Sequence, residues 1–137
     1  MEEFEIEISD SQYASLNRRF PIKESSYDIG RRAVEFLKVY FQALDPRAEI
    51  RPGENGSDLE ITRRGKTESI EVKGTASPDV SWGTLKVSSQ ASHDCLCDGA
   101  KLCRVMRVNS RKPKVCVLTE GEDFELIPEA RWAVRKI

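Results

Sequence analysis

Three charged side chains near the middle of the chain have the types and spacing that metal-assisted chemistry requires. Asp58 precedes an alternating apolar and polar stretch, and Glu71 and Lys73 lie on either side of Val72 in a second one. Strand side chains alternate between faces, so the apolar residues can enter a core while the three charged residues share the opposite face. The intervening RRGK segment predicts a hairpin turn, which would bring Asp58 beside Glu71 and Lys73 at one edge of a sheet.

Two carboxylates and an ammonium at one place suit magnesium or manganese chemistry. Mg²⁺ prefers oxygen ligands and usually takes one or two carboxylates together with water and phosphate. Asp58 and Glu71 could supply the carboxylates, with a neighbouring backbone carbonyl completing the protein's share. Lys73 could hold, or help to deprotonate, a water that attacks a phosphodiester. Because an E-x-K sequence alone usually marks a solvated strand face, the flanking sequence must support this hypothesis.

The surrounding elements predict an α+β or α/β fold with a central mixed sheet flanked by two helices. The segment YDIGRRAVEFLKVYFQAL has apolar residues at helical spacing, with Asp28 as its cap and Asp45-Pro46 ending it. A second helix is predicted in QASHDCLCD, capped by Ser88 or Ser89 and ended by Gly99. Besides the hairpin, strands are predicted in FEIEI, AEI, TLKVS, LCRVMRV, KVCVLT, FELI and RWAVRKI.

Length and composition favour one folded unit. The 137 residues suffice for a single core. Residues 1–26 are expected to form an N-terminal strand, a short helix and a linker, and residues 27–137 the main domain. No apolar run approaches the roughly 20 residues that span a bilayer, and the acidic start lacks the features of a signal peptide. We therefore expect a cytoplasmic protein with no membrane partner.

The total charge does not indicate nucleic-acid binding, because the formal net charge is −1. Any basic surface must be local. Arg63, Arg64 and Lys66 at the hairpin turn could contact a phosphate backbone, although a solvated turn explains them equally well. Trp82 could stack on a base or, more often for such a residue, close the edge of a core.

The wider sequence resembles a known superfamily. Asp58 followed after twelve residues by Glu71-Val72-Lys73 is similar to the PD-(D/E)XK nuclease signature. The segments YDIGRRAVEFL, SDLEI, IEVKGTAS, KVSSQ and LCRVMRV together resemble the NO VEIN-type C-terminal domain, a branch of that superfamily. The resemblance implies a restriction-endonuclease-like fold, Asp58 and Glu71 as ligands of Mg²⁺ or Mn²⁺, and Lys73 as the catalytic lysine.

The same resemblance identifies two further candidate positions. Gln90 matches a place where the family has a polar or acidic residue near the site. The family's helix usually has a glutamate four residues after the glycine, where this chain has Val34 and the next residue is Glu35. Glu35 is therefore either a residue at the metal or a member of a surface ion pair.

A second metal hypothesis concerns zinc. His93, Cys95, Cys97 and Cys103 lie within eleven residues. Their spacing does not follow the common C-x2-C pairs, and Cys95 and Cys97 would lie about 200° apart on a helix, so one ion could not bind both without unwinding. Cys103 and Cys116 are more simply explained as small buried strand residues.

These observations lead to three functional hypotheses. The first is a magnesium-dependent deoxyribonuclease that acts in prokaryotic defence or DNA repair, with DNA as its substrate and a protein partner or a homodimer supplying specificity. The second is a nuclease-fold module that binds protein or nucleic acid, its chemistry weakened by Val34. The third is a dimeric endonuclease similar to Holliday-junction resolvases.

Overall fold

A computed structural model describes residues 1–22, 25–54, 56–129 and 134–137. The helices are α1 (Asp10–Arg19), α2 (Ser26–Leu44) and α3 (Gln90–Cys97), with a short 3-10 turn at Trp82–Thr84. The strands are β1 (Glu2–Glu5), β2 (Glu49–Pro52), β3 (Leu59–Arg63), β4 (Lys66–Gly74), β5 (Lys101–Met106) and β6 (Lys114–Thr119). Among the described residues, none of the helices combines the length and apolarity that crossing a bilayer would need.

The strands form one mixed sheet in the order β1-β6-β5-β4-β3-β2. Only β4 and β5 pair in parallel; the other neighbours are antiparallel. The parallel pair is joined through α3, which is the kind of crossover that parallel strands require. The predicted α+β organisation with a mixed sheet and flanking helices is therefore confirmed.

The β3–β4 hairpin has the turn that its sequence predicts. Arg63 pairs with Lys66, and the two residues between them, Arg64 and Gly65, have φ values of 51° and 78°. Positive φ at both positions is typical of the type I′ turn, whose twist matches that of the flanking strands. This turn sets the register that places Leu59 opposite Ile70.

Two apolar clusters cover the two faces of the sheet. The first joins the buried side of α2 to β3, β4 and the facing residues of β5, and includes Phe36, Leu37, Leu59, Ile70, Val72 and Cys103. The second lies under α3 and includes Leu96, Leu102, Met106, Cys116 and Leu118. Because β4 and β5 lie between these layers, Glu71 and Arg104 on their α3-facing side are buried.

The N-terminal segment forms a strand and a helix that join the rest of the fold. β1 pairs with β6 along Glu2 to Glu5, and α1 begins at Asp10, with the Ser9 side chain as its cap. Ile6, Ile8 and Leu16 are buried in the first cluster. Residues 1–22 thus share the sheet and core of the remaining chain, because β1 supplies the last strand at that edge. Residues 23 and 24 of the predicted linker lie outside the described residues.

Some predicted strands are absent from the described residues. TLKVS and FELI carry no strand, although Phe124 forms an isolated bridge with Glu120. β1 and β2 occupy the two sheet edges, so the apolar side chains of these segments pack instead on the second cluster as Leu85, Val87 and Leu126. Of the predicted strand RWAVRKI, residues 131–133 lie outside the described residues, and 134–137 have no regular structure.

Candidate active site

The two charged residues of β4 lie on the α3-facing side of the sheet. Ile70 and Val72 point into the first apolar cluster, so Glu71 and Lys73 point to the other face by strand alternation. Glu71 pairs in register with Leu102, which belongs to the second cluster. Glu71 is consequently buried, with 5% of its surface exposed, whereas Lys73 is half-buried.

Asp58 is fixed beside this pair at the start of β3. Its backbone N–H donates to the Ile70 carbonyl at 2.9 Å, which extends the hairpin by one residue. Its Oδ2 accepts the Val72 N–H at 2.7 Å. The side chain therefore takes the place of the next backbone acceptor, and the Asp58 carboxylate is held next to Glu71.

Helix α3 holds the loop that delivers Asp58. Gly56 has φ of 99°, and a Cβ built on it would lie 2.3 Å from the backbone of Ala91. The Ser92 hydroxyl donates to the Gly56 carbonyl at 2.9 Å. Only glycine combines this backbone conformation with so close an approach to a helix. The Gly56 contact thus sets the distance between α3 and the strand that begins after Asp58.

The electrostatics of the site centre on Glu71. Burial, and then the negative charge of Asp58, raise the pKa of Glu71 from its usual 4.5 to about 7. Lys73 opposes this rise, since its Nζ lies 3.4 Å from Glu71 Oε1. The Lys73 ammonium thus only partly offsets the buried Glu71 carboxylate and the exposed Asp58 carboxylate beside it, and an additional cation would be stabilised there.

The residues present fit a hard divalent cation. Burial, and then the Asp58 charge, raise the pKa of Glu71, so a cation at this place would favour its ionised form. The β3–β4 pairing ends at Leu59 and Ile70. Beyond it, the Val72 carbonyl points to the same edge of β4 as the Val72 N–H, which donates to Asp58. Asp58, Glu71 and this carbonyl are all oxygen donors, as Mg²⁺ and Mn²⁺ prefer, and water and phosphate would complete the coordination.

Within the described residues, Gln90 and Glu35 form no hydrogen bond or ion pair with these carboxylates. Gln90 is exposed at the first turn of α3, and its amide donates to Asp94 Oδ1 at 2.8 Å. Glu35 forms ion pairs with Arg19 at 3.3 Å and Lys38 at 3.4 Å, in the cleft between α1 and α2. This cleft is on the opposite face of the sheet from Glu71. Val34 is partly buried against the first cluster.

The basic hairpin turn lies far from the site. Lys66 is five residues before Glu71 on β4, which corresponds to about 17 Å of strand. The Arg63 guanidinium lies 5.8 Å from the centre of the Phe41 ring, so it covers the end of α2. Arg64 is at the exposed tip of the turn. A substrate held at Glu71 would reach this turn only by extending along about 17 Å of β4.

A buried arginine that the sequence analysis did not consider organises the loop after β4. Arg104 pairs in register with Lys73, is 3% exposed, and donates to the carbonyls of Val80 and Gly74 and to the Thr84 hydroxyl. These bonds fix the loop that carries Trp82, whose surface is 48% exposed. The sequence feature that could have identified this residue is a single arginine inside the apolar stretch LCRVM.

The zinc hypothesis is not supported by the positions of its residues. Cys103 is buried in the first cluster, whereas Cys95 and Cys97 are on α3, across the sheet. The Cys97 sulfur lies 3.9 Å from His93 Nε2. In the part of the chain that the structure describes, no three His, Cys, Asp or Glu side chains form a metal-binding group. Burial raises the pKa of Cys103 to about 12, so its thiol stays protonated.

The fold and site together define an α+β protein with a six-stranded mixed sheet and a carboxylate pair beside a lysine on one face. Comparison of the chain with family models, with curated proteins and with solved structures finds no match.

Proposed function

We propose that the protein is a magnesium- or manganese-dependent deoxyribonuclease with a restriction-endonuclease-like fold. The observation that carries this proposal is that the buried Glu71 carboxylate lies beside the exposed Asp58 carboxylate and 3.4 Å from the Lys73 ammonium. The sequence resemblance to the PD-(D/E)XK signature rests on the same three residues. Hydrolysis of a phosphodiester needs a cation, an oriented water and a positive group near the phosphate, and these residues suit those tasks.

Each residue has a distinct task in this mechanism. The bound ion would supply positive charge that stabilises the phosphate as negative charge develops on it. One Asp58 oxygen accepts the Val72 N–H, and this bond to the backbone orients the carboxylate. Glu71 provides the second carboxylate from a rigid central strand. The Lys73 ammonium donates hydrogen bonds to the attacking water and orients it toward phosphorus.

A cleavage assay tests the proposal directly. Single-stranded, duplex and branched DNA would be incubated with Mg²⁺ or Mn²⁺ and wild type, Glu71→Ala or Lys73→Ala. Glu68→Gln is a matched control, because Glu68 is exposed on the same strand. We expect cleavage by wild type and the control, and a loss of at least about 100-fold in the other two variants. Undiminished activity in both variants would refute the assigned mechanism.

Metal binding can be measured separately by calorimetric titration with Mn²⁺. Coordination by two carboxylates predicts that binding is lost in Asp58→Ala. Replacement of Cys97, which is exposed on α3, should leave it unchanged. Binding that is indifferent to Asp58 would place the ion elsewhere.

One observation favours a second candidate, a nuclease-fold module that binds without cleaving. Glu35 is engaged with Arg19 and Lys38 on the opposite face of the sheet, so the site has two carboxylates and no third from α2. This candidate predicts DNA or protein binding with no cleavage under any metal condition. The cleavage assay above distinguishes the two.

A further inference from the structure

A basic and aromatic surface lies where α1 ends and α2 begins. We call it the junction surface, and its members are Arg18, Arg19, Phe20, Tyr27 and Arg31. The Arg19 and Arg31 guanidinium groups lie 5.2 and 5.3 Å from the centre of the Phe20 ring, and Arg31 is also 5.9 Å from the Tyr27 ring. The protein therefore presents stacked cationic and aromatic groups side by side on its exterior.

Positive charge is concentrated in this part of the chain. Residues 17–38 contain six basic and three acidic residues, a formal charge of +3, whereas the whole chain has a net charge of −1. Tyr27 is 71% exposed, and Arg18 and Arg31 are also exposed. Within the described residues, neither Arg18 nor Arg31 forms an ion pair with a carboxylate. Both guanidinium groups are thus open to an anionic ligand.

A chain of hydrogen bonds connects the junction surface to the end of β4. The buried Arg32 donates from Nη1 to the Phe20 carbonyl at 2.8 Å and from Nε to the Val108 carbonyl at 3.0 Å. The Val108 N–H in turn donates to the Thr75 carbonyl at 3.1 Å. Thr75 is two residues after Lys73, so this surface is anchored at the same end of the sheet as the candidate site.

Packing of α2 against Gly74 supports the same placement. A Cβ built on Gly74 would lie 2.9 Å from the Ile29 carbonyl oxygen, so the first turns of α2 touch the strand residue next to Lys73. The hairpin turn with Arg64 and Lys66 is at the opposite end of β4. Of these two basic surfaces, the junction surface is the one at the Lys73 end of β4. It lies on the α2 side of the sheet, so a strand bound at Lys73 would meet it by passing around the end of β4.

We propose that the junction surface binds single-stranded DNA and leads it to the end of β4. Arginine guanidinium groups pair with phosphates and also stack on rings, and an exposed aromatic ring can stack on an unpaired base of any sequence. Arg18 and Arg31 contact the phosphates, and Tyr27 stacks on a base. This inference deepens the proposed nuclease function by naming its substrate as an unpaired strand, but the binding itself does not require cleavage.

The test measures binding without metal, so that cleavage cannot contribute. Fluorescence anisotropy of a short labelled oligo-dT is followed in EDTA over a range of salt concentrations, with full-length wild type, Arg31→Ala, Tyr27→Ala and Lys66→Ala. Lys66→Ala removes the same charge as Arg31→Ala but at the far end of β4, and it is the matched control. Thermal unfolding by circular dichroism verifies that these exposed substitutions leave the fold intact.

Each variant has its own expected signature. Arg31→Ala should weaken binding and reduce the slope of log K against log salt by about 0.7, the value for one phosphate contact with a single strand. Tyr27→Ala should weaken oligo-dT binding about fivefold or more and leave that slope unchanged. Lys66→Ala should alter neither quantity.

Several results would overturn the proposal. One is the absence of wild-type binding to oligo-dT, and another is an equal loss of affinity in Lys66→Ala and Arg31→Ala. A third is tighter binding of duplex than of oligo-dT with no effect of Tyr27→Ala. The last is displacement of the labelled oligo-dT by poly-glutamate as effectively as by unlabelled oligo-dT. The outcome is independent of the cleavage assay. A protein that binds oligo-dT through Arg31 but never cleaves DNA would retain this inference and lose the nuclease function.

Discussion

The raised pKa of Glu71 predicts a measurable dependence of stability on pH. Between its usual 4.5 and about 7, the folded protein retains a proton on Glu71 that the unfolded chain has released. Stability from this group is therefore fully present below pH 4.5 and is lost as the pH rises through about 7. The difference between the two pKa values corresponds to about 3 kcal/mol in the free energy of unfolding.

Glu71→Gln is the perturbation that isolates this contribution, because glutamine is a neutral side chain of nearly the same shape. Urea unfolding in EDTA would be measured at about pH 4.5 and about pH 8. The stability that protonated Glu71 contributes is nearly complete at the lower pH and absent at the higher one. Relative to wild type, the variant should gain about 3 kcal/mol over this range. Glu68→Gln, at an exposed position on the same strand, controls for the general effect of removing a carboxylate.

The result that would refute this reasoning is a difference between wild type and Glu71→Gln that stays the same at both pH values. The proposed metal site adds a second expectation at the higher pH. If Mg²⁺ binds the ionised pair as proposed, it should stabilise wild type and not Glu71→Gln.

Three further predictions concern neighbouring residues. Lys73→Met should raise the pKa of Glu71 above about 7, because Lys73 lowers it, and an NMR titration of the Glu71 carboxyl carbon would measure this; an unchanged midpoint contradicts the contact. Arg104→Met should lower the free energy of unfolding in urea by about 1–3 kcal/mol, because the Val80 and Gly74 carbonyls and the Thr84 hydroxyl lose their donor. Proteolysis within residues 75–84 should also be faster, and unchanged proteolysis would show that other contacts hold this loop. Gly74→Ala should cost about 1–3 kcal/mol through overpacking against α2, whereas a Cβ at the control Gly83 has open space, so equal effects would contradict the packing argument.

The regular elements of the central region could be predicted because their signals are local. The helical spacing of apolar residues in α2, the break at Asp45-Pro46 and the turn residues of RRGK all act within a few positions of the chain. Alternation in β4 likewise predicted that Glu71 and Lys73 would share a face. These patterns depend on backbone geometry and not on distant contacts.

Other features were not predicted because they depend on contacts far along the chain. TLKVS alternates like a strand, but Arg104 binds Thr84 and Leu85 packs in the second cluster, so the segment packs without pairing. The N-terminal strand was predicted but its place in the sheet was not, because its partner β6 lies more than one hundred residues away. Neither contact leaves a signal in the local sequence.

The same distinction applies to the candidate site. The sequence by itself determined that Asp58, Glu71 and Lys73 lie together, because a short hairpin fixes their register. Only the tertiary structure decided that Glu71 is buried under α3 with its pKa raised to about 7, that Glu35 faces α1, and that the Arg31 guanidinium lies over the Phe20 ring. Burial and long-range electrostatics depend on which layers cover the sheet, and a strand's own alternation carries no information about that.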